Sequence, residues 1–232
     1  MKNQFLYLFL FFSIMTLSSC TRWFSVSPEF EKLSIDHKTI AVLPFEVVMR
    51  GRQPKNITPE QIAAIEAAEG LAFQISMHDE ILRSLNNGRF NLSVDLLSVR
   101  ETNARITNAG LELSETHQMS PKKLCELLEV DALYLGRVEK NRFLTDLESF
   151  GIDLAGELLF TLTRDIFWPF TDPSAQDIFV RGSIVEGNHG QALFTAVRNF
   201  NVDWTNPSQQ IVRNINARIA RRIPYREKNR NN

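Results

Sequence analysis

The spacing of apolar residues changes along the chain, and each change marks a predicted element. Lys38 to Val48 (KTIAVLPFEVV) is a nearly continuous apolar run rich in β-branched residues, as in a strand buried on both faces. Pro44 cannot donate to a ladder, so this strand is expected to end or bulge beside it. From Ile62 the spacing turns helical, through Ile65, Leu71 or Phe73, Met77, Ile81 and Leu85. Thr58-Pro59-Glu60-Gln61 supplies its start: a capping hydroxyl, a proline suited to the first turn and a glutamine that completes a capping box. Gly88 is read as the stop, and the Met and Phe stripe as core. Arg89 to Leu97 (RFNLSVDLL) reads as a second strand. Ser98-Val99-Arg100-Glu101 reads as a capping box opening a short helix that ends near Gly110.

Ser120-Pro121 starts a further helix through Glu129, and Asp131 to Phe143 is then a strand, with Gly136 where a side chain would crowd a neighbour. Phe150, Leu154, Leu158, Leu162 and Ile166 fall four apart opposite an acidic face, which predicts an amphipathic helix ended by Pro169. Gln176 to Glu186 and Gln191 to Trp204 form a hairpin about Gly187-Asn188-His189-Gly190. Asn206-Pro207 opens a last helix carrying Ile211, Ile215 and Ile219. This order predicts an α/β fold: a mixed sheet covered by helices, with a carboxy-terminal β-hairpin and final helix.

The first twenty residues obey another rule. Lys2 precedes an apolar run from Phe5 to Phe12 that continues through Ile14, Met15 and Leu17, the form of a secretory leader too short for a stable span. Leu17-Ser18-Ser19-Cys20 then resembles a bacterial lipobox, in which a peptidase cuts before a cysteine whose thiolate accepts a diacylglyceryl group. Lipidation is therefore expected at Cys20. Thr21 follows, not an aspartate that would resemble an inner-membrane retention signal, so the expected address is the periplasmic face of the outer membrane. The expected organisation is a lipoprotein signal peptide at 1–19, a tether at 20–37, a single α/β domain at 38–225 and a basic tail at 226–232.

Removing residues 1–19 leaves 213 residues, 25 Lys and Arg against 27 Asp and Glu, and room for one sizeable core. The charge is uneven: Arg213 to Asn232 holds seven basic residues and one acidic. A tail contact with an anionic partner competes with helix capping and a solvated terminus, and nucleic acid is not expected. With Cys20 lipidated, Cys125 has no disulfide partner and its helical setting predicts a buried thiol. His37, His78, His117 and His189 lack metal-ligand spacing, and successive residues His78-Asp79-Glu80 point in different directions on a helix. No catalytic residues, cofactor or metal are assigned.

Three passages resemble one group of envelope domains: the amino-terminal IAVLPF run, Leu127-Leu128-Glu129-Val130-Asp131-Ala132-Leu133-Tyr134-Leu135-Gly136, and the late hairpin. The group includes the TolB amino-terminal domain, the curli secretion lipoprotein CsgG and the synthase activator LpoB. The resemblance covers roughly residues 38–204 and implies a non-enzymatic lipoprotein that binds or scaffolds other cell-envelope proteins, with homo-oligomerisation open to it. Two alternatives stand beside it: a periplasmic enzyme with an unrecognised site, and a subunit of an oligomeric secretion channel.

Overall fold

The structure is a computed structural model, and it describes residues 23–50, 57–85, 89–144, 150–152 and 177–228. Of the amphipathic helix expected over 150–170 only residues 150–152 are among them, and the stop at Gly88 and the Leu17 to Cys20 motif lie outside them.

The segment read as a tether is structured from Trp23 onward. Its strand β1 (Phe24–Val26) pairs antiparallel with the second hairpin strand, and a single turn, α1 (Phe30–Leu33), follows. The KTIAVLPFEVV run splits at its proline into β2 (Thr39–Val42) and β3 (Glu46–Met49). The long helix α2 (Pro59–Leu85) starts as its capping box predicts: the Thr58 N–H donates to Gln61 Oε1 at 2.9 Å and the Gln61 N–H to Thr58 Oγ1 at 3.3 Å. Such caps contribute about 1 kcal/mol each.

Where one strand was expected over 89–97, two short pieces form, β4 (Phe90–Leu92) and β5 (Asp95–Leu96), and they join different sheets. Helix α3 (Val99–Asn108) keeps half of its predicted box. Ser98 Oγ accepts from the Glu101 N–H at 3.1 Å, while the Glu101 carboxylate turns to Arg105 at 2.8 Å. The polar stretch after it closes into a 3₁₀ turn (Leu113–Gln118). Helix α4 (Pro121–Leu128) ends on Glu129 in the left-handed region, at φ 51°. Then come β6 (Ala132–Lys140), β7 (Asp177–Glu186), β8 (Ala192–Asn201) and α5 (Ser208–Ala220). The expected tail begins instead with β9 (Arg226–Lys228), paired antiparallel with β4, because a strand's open edge binds any extended backbone that reaches it.

Among the described residues the main sheet has seven strands in the order β1-β8-β7-β6-β2-β5, with β3 continuing along β6 beyond β2. The β2, β3 and β5 pairings are parallel and the rest antiparallel. Helices α2 and α5 cover one face and enclose the main core, from Ile40, Phe45 and Tyr134 to Phe73, Met77 and Ile215. The other face is covered at the β2–β6 end, where Leu43 and Leu133 meet Ile106, Leu124 and Leu128.

The break between β2 and β3 locks sheet to helix. The Phe45 N–H donates to the Gly70 carbonyl inside α2 at 3.1 Å, and a Cβ on Gly70 would lie 2.3 Å from the Phe45 carbonyl oxygen. The Phe45 ring fills the space above Gly136, where a Cβ would come within 2.3 Å of it. Gly136 pairs across the ladder with Gly182, which lies against the Tyr134 hydroxyl. Gln74 donates to the Val42 carbonyl at 2.8 Å and His117 Nε2–H to that of Pro44 at 3.0 Å. The Val42 and Pro44 carbonyls beside the break thus each meet a side-chain donor.

Beyond the break, β6 is clipped to α2 by an ion pair with both side chains fully buried: Lys140 Nζ lies 2.6 Å from Glu69 Oε2. Burial pushes the Glu69 carboxyl up and the Lys140 amine down, each opposed by the other's charge. Lys140 also donates to the Arg142 carbonyl, and Glu69 accepts from the Leu144 N–H, both at 2.5 Å.

Gly70→Ala is a helix-favouring change worth up to about 1 kcal/mol elsewhere. Here the clash with immovable backbone outweighs it, and urea denaturation is expected to show a net loss of about 1–3 kcal/mol. Gly136→Ala meets a ring that can shift and loses less; a Gly70→Ala protein as stable as the parent refutes the lock. Lys140→Met alone, leaving a buried carboxylate, is expected to cost about 3–5 kcal/mol, most of it recovered by adding Glu69→Leu. A double-mutant cycle measures this.

Candidate interaction surfaces

Helices α2 and α5 pack through Ile211, Val212, Ile215 and Ile219, with a buried hydrogen bond from Asn216 Nδ2 to the Phe73 carbonyl at 3.0 Å. On the solvent side they part into an open groove of about 910 Å³. Its polar lining includes Asp79, Gln209, Gln210 and Asn214. Glu80, 5 % exposed, is pinned at its floor by Arg83 at 3.0 Å and Arg213 at 3.1 Å. Ser76 Oγ beside it is buried without a hydrogen-bond partner among the described residues. Of His78-Asp79-Glu80, Glu80 turns away to the two arginines, while His78 Nδ1 lies 3.4 Å from Asp79.

A second surface is the uncovered part of the other sheet face. Along β3 and β6 it carries a charge ladder. Arg137 spans Glu46 at 2.6 Å and Glu139 at 3.0 Å, and Arg50 reaches Glu139 at 2.9 Å. The hydrogen bond from Arg137 holds the Glu139 carboxyl below its usual range. By strand alternation Phe179, Arg181, Thr195 and Val197 share this face, all half-buried or exposed.

A third region joins the hairpin turn to His37, ahead of β2, and Tyr225, after α5. Glu186, buried, accepts from the Asn188 N–H at 3.0 Å, the His189 N–H and His189 Nδ1 at 2.8 Å. Burial opposes ionisation, yet these donors outweigh it and the carboxyl titrates below its usual value. His37 Nδ1 lies 2.6 Å from the Tyr225 hydroxyl, and burial lowers the His37 pKa despite Asp131, Glu186 and Asp36. Cys125 is buried as expected, its thiol pushed up to about 12 by burial and then by nearby carboxylates. A thiol protonated at neutral pH is a poor nucleophile.

No family model and no curated protein matches this chain. Solved structures do. Lipoprotein GNA1162 from Neisseria meningitidis is 11 % identical, covering 79 % of this chain and 94 % of its own, at a TM-score of 0.39. The LpoB C-terminal domain from Salmonella enterica is 11 % identical, covering 75 % of this chain and 94 % of its own, at 0.35. The PelC dodecamer from Paraburkholderia phytofirmans is 9 % identical, covering 80 % and 86 %, at 0.38. LpoB is among the proteins that the sequence resembles.

Glu186→Gln is expected to remove about 1–2 kcal/mol of stability at pH 7. A carboxyl whose folded pKa lies below its unfolded 4.5 contributes stability that is present above that value and lost as pH falls through the folded one. Denaturation midpoints of parent and variant should therefore converge on acidification. A gap that stays constant down to pH 3 refutes the ionised cap.

Proposed function

We propose that the chain is a non-catalytic lipoprotein, anchored through Cys20 on the periplasmic face of the outer membrane, that binds other envelope proteins through the α2–α5 groove. The observation that carries this reading is Leu17-Ser18-Ser19-Cys20 standing directly ahead of a folded domain, with only Thr21 and Arg22 before Trp23. Two or three acyl chains, at roughly 0.8 kcal/mol per buried methylene, hold such a domain on its membrane without another anchor. The groove supports a protein partner. It is wide, open and hydrogen-bonding, and Glu80 already has its charge balanced by two arginines, so a polar chain can dock without stripping an isolated ion of water. The chemistry of the other reactive groups supports binding over catalysis. His117 holds the strand break, His189 caps the hairpin turn, His37 leans on Tyr225, and Cys125 stays a thiol.

The test pairs mass and location. Mass spectrometry of the native product is expected to show residues 1–19 removed and Cys20 acylated. A Cys20→Ala chain behind a leader cut by the general signal peptidase is expected to leave the membrane fraction with its domain folded. An unacylated Cys20, or a variant that still sediments with membranes, overturns the anchor. A photocrosslinker at Gln210 in intact cells is expected to give one discrete adduct with an envelope protein. Equal labelling from Thr107, on a different helix, overturns the groove assignment.

A further inference from the structure

Taking the Cys20 anchor as its premise, we infer that the β1 edge of the sheet is a membrane-contact surface that lies against the phospholipid headgroups. Three residue steps separate Cys20 from Trp23, at most roughly 10 Å of fully extended chain. The Trp23 carbonyl is already fixed in the sheet, accepting from the Val197 N–H at 2.8 Å. A lipid on Cys20 therefore holds this edge within about one headgroup layer of the acyl chains, and the domain cannot turn another side to the membrane.

The residues at that edge suit the position. Trp23 and Phe24 are half-exposed and meet edge to face, with ring centroids 5.4 Å apart. Arg198 lies over the Trp23 ring at 5.1 Å, and Arg222, exposed at the end of α5, over Phe24 at 5.0 Å. Val26, on the same side of β1 as Phe24, is 40 % exposed. Aromatic rings that carry guanidinium groups match an interface where one end is apolar and the other anionic. Stacking on a ring leaves the guanidinium charge intact, so both arginines can still meet phosphate. Of the acidic side chains nearby, Glu29 is turned aside to Gln191 Nε2 at 2.7 Å. The occupant this chemistry fits is an anionic phospholipid surface.

The experiment uses the full acylated chain, its Cys20 modification verified by mass spectrometry, in phosphatidylethanolamine–phosphatidylglycerol vesicles. Trp168→Phe and Trp204→Phe leave Trp23 as the sole indole. Its emission is expected to shift to the blue and to be lost to lipids brominated near the headgroup. A flexible insert of roughly twenty Gly and Ser residues after Thr21 frees the edge by about 25 Å. Quenching is expected to survive that insert and to disappear when Arg198→Glu and Arg222→Glu are added, with circular dichroism unchanged. Absence of quenching in the acylated chain, or its loss on insertion alone, overturns the contact surface. So does protection of Trp23 by association of copies in detergent without lipid. A mass spectrum showing Cys20 free of lipid instead removes the anchor on which the inference rests, and the two failures are told apart by that measurement.

Discussion

A single interruption organises this fold: the step from Val42 to Glu46, where Pro44 takes a strand out of register for three residues. Pro44 offers no N–H, and its neighbours leave buried carbonyls that hydrocarbon cannot satisfy. The Phe45 N–H, out of the ladder as well, is met by the Gly70 carbonyl, with α2 close enough for backbone to meet backbone. Helices usually pack on sheets through side chains about 10 Å away, so this approach is possible only where Cβ is missing. The freed Phe45 ring then needs somewhere to go, and the Gly136–Gly182 pair provides it. Phe45 stacks on Phe73 at 5.4 Å and approaches Tyr134 at 5.7 Å, so helix, kink and central strands share one aromatic contact.

From that lock the polar groups of the interior follow. With α2 held so near β6, Glu69 and Lys140 are sealed from water and can remain charged only through each other and the backbone groups around them. Such a pair adds little net stability over an apolar pair, but it penalises any register in which its partners fail to meet. Glu69 directly precedes Gly70 on the same helix, so the two constraints set both the depth and the axial position of α2. Asn216, bonded to the Phe73 carbonyl, extends the same control to α5 and so sets the width of the groove that Glu80 floors.

The functional reading follows from the same asymmetry. One sheet face is closed by two long helices that diverge into a polar groove, and the other carries a solvated Arg–Glu ladder. The narrow β1 edge is aromatic and cationic, where the chain leaves toward Cys20. Groove and edge are distinct surfaces, so a membrane on one does not occupy the other. On the proposed anchor, so short a lead keeps the domain at the bilayer, where its partners would meet it.

How much of this was legible in sequence depends on range. The strand at 38–48 with its weak point at Pro44, the Thr58–Gln61 box, the hairpin glycines, the crowded Gly136 and the burial of Cys125 all depend on neighbours a few residues away, or on a residue type with one physical use. These the linear pattern determined. What it could not determine were pairings between distant segments. Trp23 to Val26 looked like slack because four residues carry no period, yet their backbone completes the edge of a sheet by pairing with Phe194 to Ala196, far along the chain. Residues 89–97 alternate well enough for one strand, but Tyr225 accepts from the Ser93 N–H and Arg226–Lys228 claim Phe90–Leu92, so the run divides. Nothing in the linear pattern marked Gly70, Glu69 or Lys140. Only the folded chain brings a carbonyl against that glycine and closes the core over that pair, because burial is a property of what packs on a residue and not of the residue itself.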